Sequence, residues 1–247
     1  MVCNGFGQQM KAGISVIVTD YFVFIHLHKS GGSFVNRFLQ KFEPSTSGIG
    51  YHLPYSEVPD DFRHLPVFGC VRNPWSFYVS WYSFQAGMEN PNPLFMVVSE
   101  NQRLGFEGTI KNLLTLSESS DRIDLLASQL PKHFGSRGQN LTRNCVSNLL
   151  GKNIGFYTFL FQRMFAECDK PVVARMESLR EQMLKLLPGL GRPLSIDEEN
   201  YIRDSRKTNV TAHKQHCDYY DHELRDLVAE KESEIIERFG YTFSGDD

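Results

Sequence analysis

The fold of this chain is decided by residues 22–34, which read FVFIHLHKSGGSF. The apolar run predicts a buried strand over residues 21–27, and the glycines predict a tight basic loop that leads into a helix. The first turn of a helix offers unpaired backbone N–H groups and the positive end of the helix dipole. Because Lys29 adds a positive charge there, the loop is typical of a site for phosphate or sulfate. The same pattern also fits an ordinary Gly-Gly turn with a solvated lysine.

Length and composition favour one globular domain that spans residues 1–247. The net charge of -3 argues against a general nucleic-acid-binding protein, so any basic site must be local. Five cysteines without a C-x-x-C pair predict a reduced, cytoplasmic protein. No membrane partner is expected, because Asp20 interrupts the apolar segment 12–27 and no other stretch approaches the roughly 20 residues of a membrane span.

Short apolar runs alternate with amphipathic segments along the chain, an order that predicts an α/β fold. We expect three layers, with a mostly parallel central sheet flanked by helices. The predicted strands are 14–18, 21–27, 67–71 and 171–175, and the predicted flanking helices are 34–42, 75–85, 177–187 and 219–239. Further helices are predicted in the middle third, at 94–100, 108–116, 121–130 and 154–165. Residues 45–50 are small and polar and predict a loop.

A second polar loop, Arg72-Asn73-Pro74, follows the strand predicted over residues 67–71. Because ligands of parallel sheets bind at the carboxyl ends of strands, this loop is expected beside the Lys29 loop. Arg72 can bind a phosphate through its planar fork, and Ser80 lies about two helical turns farther on with a hydroxyl to add. Alone, Arg72 also fits a surface salt bridge at a strand end. Together the two loops predict a ligand with two separated anionic groups.

The pair of loops resembles the sulfotransferase superfamily. The Walker A pattern of the P-loop NTPases is absent, because Lys29 precedes the glycines instead of following them. HKSGGS at residues 28–33 is similar to the superfamily's 5′-phosphosulfate loop. VRNPW at residues 71–75, with YVSWY at residues 78–82, is similar to its 3′-phosphate element. The likeness is strongest to carbohydrate-type and bacterial members, extends weakly to residues 219–220 and 239–243, and does not cover residues from about 91 to 165.

This resemblance implies a P-loop-like nucleotide-binding architecture and the donor 3′-phosphoadenosine 5′-phosphosulfate (PAPS), with adenosine 3′,5′-bisphosphate (PAP) as the product. The 5′ end of the donor would lie in the loop formed by Lys29, Ser30, Gly31, Gly32, Ser33 and Phe34. Its 3′-phosphate would lie against Arg72 and Ser80. Lys207, in the basic segment 206–209, would close over the nucleotide, although a solvated turn fits that segment equally well. The helical segment from about 91 to 165 would shape the acceptor site.

An acceptor must lose a proton during sulfuryl transfer, so a base is required, and histidine is the usual choice near neutral pH. The candidates are His26, His28, His52 and His64. His52 is preferred because its segment resembles a histidine-containing segment of uronosyl 2-O-sulfotransferases, while a structural histidine is the alternative. Glu57 and His28 are the fallbacks. Lys29 would also be catalytic, by neutralising charge on the bridging oxygen.

The sequence thus predicts a PAPS-dependent sulfotransferase that works without a metal. The sequence predicts no particular oligomeric state. Its acceptor would be a hydroxyl or amine of a small molecule or saccharide. Two other functions stay open at this point. A nucleotide-dependent kinase on a related fold would bind ATP with Mg²⁺, and a non-catalytic nucleotide- or glycan-binding module would have no transferase activity at all.

Overall fold

Five short strands form the sheet at the centre of the protein: β1 (Val16–Val18), β2 (Val23–Ile25), β3 (Ser47–Gly50), β4 (Val67–Val71) and β5 (Val172–Arg175). Their order across the sheet is β3-β1-β2-β4-β5. The computed structural model describes residues 16–43, 46–50, 52–134, 141–206 and 215–244. The predicted α/β fold is confirmed, with strands close to those expected; residues 14 and 15 of the first predicted strand lie outside the described residues.

The sheet is mixed, so the expectation of a mostly parallel sheet is wrong. β4 runs parallel to β2 and to β5, whereas β1 runs antiparallel to both β2 and β3. The cause is local. The Thr19 hydroxyl oxygen accepts the N–H groups of Tyr21 at 3.1 Å and Phe22 at 2.9 Å, which closes a tight turn between β1 and β2. Strands joined by so short a turn can pair only in the antiparallel sense.

Residues 47–50 form β3, where the sequence predicts a loop. Their sequence, Ser-Gly-Ile-Gly, has little intrinsic preference for a strand. The segment pairs with β1 at the edge of the sheet, through Ser47 opposite Val18 and Gly48 opposite Ile17. The strand therefore depends on a neighbouring strand and not on its own pattern.

Eleven α-helices accompany the sheet in the described part of the chain. α1 (Gly32–Phe42) follows β2, and α2 (Pro74–Ala86) follows β4. The middle of the chain contains α3 (Pro93–Val98), α4 (Phe106–Leu114), α5 (Ser120–Gln129), α6 (Arg143–Ser147) and α7 (Phe156–Met164). The last four are α8 (Leu179–Gly189), α9 (Ile196–Asp204), α10 (His222–Lys231) and α11 (Ser233–Phe239). Of the helices described, none is long and apolar enough to cross a membrane.

The helix predicted over residues 219–239 is divided into α10 and α11 at Glu232. The carboxylate of Glu232 is fully buried and accepts the backbone N–H groups of Tyr157 at 3.1 Å and Thr158 at 2.7 Å. These N–H groups belong to the first turn of α7, so a carboxylate sits at the positive end of that helix. The break accompanies a contact with a distant part of the chain, which local periodicity does not encode.

The apolar side chains of the strands divide between two hydrophobic clusters, as the alternation of a strand requires. Ile17, Phe24 and Phe68 belong to one cluster, together with residues of α1, α8 and α9. Val18, Val23 and Ile25 belong to the other cluster, together with residues of α2 to α7, α10 and α11. Because β2 and β4 are parallel neighbours, the loops that follow them begin at the same edge of the sheet.

Candidate functional site

The loop between β2 and α1 has left-handed backbone angles at two positions, Lys29 (φ 59°) and Gly31 (φ 84°). Glycine suits the second of these because it has no Cβ to clash. Gly32 is needed for space, since a Cβ there would lie 2.0 Å from ring atom Cδ2 of His26. The two glycines let α1 begin at Gly32, earlier than the predicted start at Phe34, so the helix starts close behind Lys29.

The N-terminus of α1 presents hydrogen-bond donors that a ligand could use. Within the described part of the chain, the backbone N–H groups of Gly31, Gly32 and Ser33 have no acceptor. The side chain of Ser33 is exposed beside them. This arrangement has the donors and the dipole that the sequence predicts for an anion site.

Ser30 and Phe34, which the sequence also predicts to bind the donor, have protein partners. Ser30 is fully buried, and its hydroxyl donates to the carbonyl oxygen of His28 at 3.2 Å. The N–H of Phe34 donates to the carbonyl of Gly31 at 3.0 Å, and its ring stacks on Tyr201 of α9 with centroids 6.2 Å apart. Direct ligand contacts by these two residues stay a prediction.

Arg72 follows β4 directly and is held by the first turn of α2. Its Nε and one terminal nitrogen donate to Oγ of Ser76 at 2.9 and 2.6 Å. Ser80 is buried one helical turn beyond Ser76, and residues four apart share a helix face. The predicted pair of Arg72 and Ser80 therefore lies along one face of α2, with Ser76 between them.

The ammonium group of Lys29 is close enough to Arg72 to be affected by its charge. Burial, followed by the positive charge of Arg72, lowers the pKa of Lys29 to about 8. Its Nζ lies 4.3 Å from the ring centroid of Phe84 on α2, a cation–π contact. Among the described residues, no carboxylate forms a salt bridge with Lys29. Two positive charges that affect one another at the same sheet edge favour the binding of anions there.

Three histidines, His26, His28 and His52, gather beside the Lys29 loop. The ring centroid of His52 lies 4.4 Å from that of His26 and 4.8 Å from that of His28. Burial lowers the pKa of each ring, and the positive charge that neighbouring rings would carry lowers those of His26 and His28 further. The pKa of His52 falls to about 4. All three are therefore neutral at pH 7.

A hydrogen bond fixes the proton of His52 on one ring nitrogen. The other ring nitrogen is then unprotonated, as a base requires. Nδ1 lies 2.8 Å from the backbone carbonyl oxygen of His26. Because a carbonyl oxygen can only accept, Nδ1 carries the proton and donates it. The lone pair of the neutral ring is then on Nε2. The backbone of His52 is left-handed, with φ of 49°, a conformation uncommon for such a residue.

The remaining candidates for the base differ in their placement. His64 is exposed, and Glu57 is exposed in the short 3₁₀ turn Tyr55–Glu57. His28 is half-buried within the histidine cluster. The prediction for Lys207 falls outside the described residues. In the part of the chain that the structure describes, no three His, Cys, Asp or Glu side chains are grouped so that they could hold a metal ion.

Tyr157 on α7 is a residue of this site that the sequence did not indicate. Its hydroxyl oxygen accepts the backbone N–H of Arg72 at 2.8 Å and lies 2.9 Å from the hydroxyl of Ser30. It therefore touches both predicted loops. Tyr157 is 85 residues from Arg72 and follows Phe156 in a helix rich in aromatic residues, so no local pattern separates it from a core aromatic.

Glu177 connects the second loop to the last residues of the chain. Its carboxylate accepts the backbone N–H of Asn73 at 2.7 Å and the hydroxyl of Tyr241 at 3.1 Å. The side-chain amide of Asn73 donates in turn to the carbonyl of Thr242 at 2.9 Å. The loop that carries Arg72 is thus fastened by the segment 239–243, whose sequence weakly resembles the C-terminal end of the sulfotransferase superfamily.

A surface cavity of about 330 Å³ lies between α3 and α5. Its lining includes Glu100, Arg103, Asp121 and Arg122. It falls in the segment expected to shape the acceptor site, but none of the candidate site residues lines it. The candidate anion-binding site is therefore the pair of loops after β2 and β4 and not this cavity.

No protein-family model matches this sequence, and a comparison with curated proteins finds no match. The function of the site is therefore argued from its geometry.

Proposed function

We propose that this protein is a PAPS-dependent sulfotransferase that transfers a sulfuryl group to a hydroxyl or amine of a small molecule or saccharide. The observation that carries the proposal is that the loops of Lys29 and Arg72 follow the parallel neighbouring strands β2 and β4, so that both begin at the same edge of the sheet. PAPS has anionic groups at its 5′ and 3′ ends and can present one to each cation. The architecture proposed with it is a three-layer, P-loop-like nucleotide-binding fold in a single domain of residues 1–247.

The N-terminus of α1 would bind the 5′ end of the donor. The N–H groups of Gly31, Gly32 and Ser33 are available there, and Lys29 supplies the charge. Arg72, held by Ser76, would bind the 3′-phosphate, with the Ser80 hydroxyl on the same face of α2. The two binding elements are separate, as a ligand with two anionic ends requires.

His52 would act as the base in an in-line transfer. The bond from sulfur to the acceptor oxygen or nitrogen forms while the bond from sulfur to the 5′-phosphate oxygen breaks. The acceptor proton passes to Nε2 of His52, and PAP leaves with the charge that Lys29 stabilises. Although the pKa of His52 is about 4 in the ligand-free protein, a bound anion nearby raises it and makes the ring a stronger base.

The rest of the proposal concerns the setting of the reaction. The chemistry needs no metal, because Lys29 and Arg72 supply the positive charge. The segment from about 91 to 165 would shape the acceptor site, and no nucleic acid or membrane would take part. The four described cysteines, Cys70, Cys145, Cys168 and Cys217, are free thiols, in keeping with a reducing cytoplasmic setting.

Thermal unfolding in the presence of nucleotides tests the proposal, since a ligand stabilises the state that it binds. We expect adenosine 3′,5′-bisphosphate to raise the melting temperature more than ATP with Mg²⁺ or ADP. Arg72→Gln should lose most of this shift, whereas Arg103→Gln, an exposed arginine on the turn after α3, should keep it. No shift with the bisphosphate would refute the proposal, and a larger shift with ATP and Mg²⁺ would favour a kinase.

Transfer itself is tested by incubating the protein with PAPS and a panel of hydroxyl and amine acceptors. Mass spectrometry should find products that have gained one sulfuryl group, together with PAP. Binding of the bisphosphate without any such product, and without release of PAP, would favour a non-catalytic nucleotide-binding module.

A further inference from the structure

The hydroxyl of Tyr157 lies at the junction of the two loops described above. It contacts the backbone N–H of Arg72 on one side and the Ser30 hydroxyl on the other, at 2.8 and 2.9 Å. Ser30 and Arg72 belong to loops that follow different strands, β2 and β4. Tyr157 and Ser30 are fully buried, and Arg72 nearly so. One side chain from α7 thus bridges the two halves of the proposed donor site.

The hydrogen bonds at this junction run in one direction. The N–H of Arg72 donates to Tyr157, so the tyrosine hydroxyl is free to donate onward to Ser30. The hydroxyl of Ser30 donates to the carbonyl of His28, so its oxygen accepts from Tyr157. Every donor in the series has an acceptor, which favours a single arrangement of the two loops.

Tyr157 is itself held in place from behind. Its ring stacks on Phe77 of α2, with centroids 3.9 Å apart and planes inclined by 18°. Its backbone N–H donates to Glu232, which also accepts the N–H and the hydroxyl of Thr158 at 2.7 and 2.6 Å. Tyr157 is therefore held by Phe77 of α2 and by Glu232, in addition to the hydrogen bonds of its hydroxyl to the two loops.

We propose that Tyr157 is a positioning residue that sets the spacing of the Lys29 and Arg72 loops, so that the two anionic ends of one nucleotide are bound together. This inference rests on the proposed function. In its absence, each loop can still bind a single anion, but the two are no longer held at the separation that a bisphosphate needs. Tyr157 then controls cooperation between the two ends of the ligand without touching the ligand.

Tyr157→Phe is the test, because it removes the hydroxyl and keeps the ring that stacks on Phe77. Its matched control is Tyr55→Phe, which also removes the hydroxyl of a buried tyrosine, one that donates to the carbonyl oxygen of Arg63 and contacts neither loop nor Tyr157. Dissociation constants are measured by calorimetry for adenosine 3′,5′-bisphosphate, adenosine 5′-monophosphate and adenosine 3′-monophosphate. We expect Tyr157→Phe to weaken binding of the bisphosphate about tenfold, the scale of one lost buried hydrogen bond, and each monophosphate by less than about threefold.

A second readout needs no ligand. Amide hydrogen exchange of Phe34, Arg72 and Asn73, whose N–H groups form hydrogen bonds, should be faster in Tyr157→Phe than in both the wild type and Tyr55→Phe. A merely structural role would lower the stability of the two variants alike and leave this difference absent. Should Tyr157→Phe fail to fold, Ser30→Ala removes the other end of the same hydrogen bond, and amide exchange of Phe34, Arg72 and Asn73, which needs no ligand, should again become faster.

The outcomes separate this inference from the proposed function. If the wild type does not bind the bisphosphate, the proposed function fails, while exchange in the two loops still tests the role of Tyr157. If the wild type binds it and Tyr157→Phe binds it equally well, the positioning role is wrong. Equal weakening of all three nucleotides would also overturn it, because that result would mean local support of each loop and not their coupling.

Discussion

Binding of adenosine 3′,5′-bisphosphate at pH 8 should be accompanied by uptake of a proton on Lys29. In the ligand-free protein, burial and the charge of Arg72 lower the pKa of this lysine to about 8. An anion bound beside the ammonium group offsets both effects and returns the pKa toward its usual value near 10.4. The lysine that is partly neutral before binding thus becomes fully charged in the complex.

The size of the effect follows from the pKa of about 8. Lys29 is about half protonated at pH 8, so binding takes up about 0.5 proton per site at that pH. The uptake falls to about 0.1 proton at pH 7, where the lysine is already charged, and rises to about 0.9 at pH 9. Affinity should accordingly fall as the pH rises above 8. At pH 8 and 9 the ligand phosphates, whose second pKa is about 6, are almost fully ionised. The three clustered histidines are neutral there, since their pKa values lie below their usual value.

Isothermal calorimetry in buffers of different ionisation enthalpy measures this uptake directly. The matched control is Lys29→Arg, which keeps the positive charge but does not titrate below pH 12. Its binding enthalpy should be independent of the buffer at pH 8 and pH 9. If the wild type shows no dependence on the buffer, or if Lys29→Arg shows the same dependence, Lys29 does not face the bound anion and its proposed role is wrong.

Three further predictions concern the base, the loop and the buried carboxylate. His52→Gln should reduce turnover by about 10²- to 10⁴-fold with little change in the affinity for the bisphosphate. His64→Gln, at an exposed position, should leave both turnover and affinity unchanged. Retained turnover in His52→Gln would mean that another residue is the base. Gly31→Ala should destabilise the protein by about 1–2 kcal/mol in urea unfolding, because its φ of 84° is unfavourable for alanine, and Gly189→Ala, in open space, should not. Burial raises the pKa of Glu232 to about 7, so the folded state holds this proton more tightly than the unfolded state, and stability is lost as the pH rises from about 4.5 to 7. Relative to Glu232→Gln, the free energy of unfolding of the wild type should fall by up to about 3 kcal/mol over that range, and a difference independent of pH would contradict the burial argument.

The parts of the site that could be predicted are those encoded by neighbouring residues. A strand followed by Lys29, two glycines and a helix is readable because each step depends on side chains a few positions apart. The same holds for Arg72 and its helix, where Asn73 caps the N-terminus by accepting the N–H of Trp75 at 3.1 Å. Their meeting at one sheet edge follows from the parallel pairing of β2 and β4, which with β5 form the parallel part of this mixed sheet.

The parts that could not be predicted depend on contacts that no periodic pattern in the sequence shows. The hairpin of β1 and β2 is set by the Thr19 side chain, a signal hidden within a run that resembles two consecutive buried strands. β3 forms only because β1 offers it an edge. The division between α10 and α11 coincides with the contact of Glu232 with the N-terminus of α7, which a helical period over residues 219–239 cannot show.

The hydrogen bonds of Tyr157 change how the middle of the chain is divided between the proposed binding sites for the sulfuryl donor and for the sulfuryl acceptor. The sequence assigns the whole segment from about 91 to 165 to the acceptor, because the resemblance to the sulfotransferase superfamily does not cover it. Yet α7 lies at the end of that segment, and its Tyr157 hydroxyl bonds to both loops. Substitutions in the first turn of α7 should therefore change nucleotide affinity, whereas substitutions around α3 and α5 should leave it unchanged. A boundary based on resemblance places α7 with the acceptor, but its hydrogen bonds connect it to the two loops of the proposed donor site.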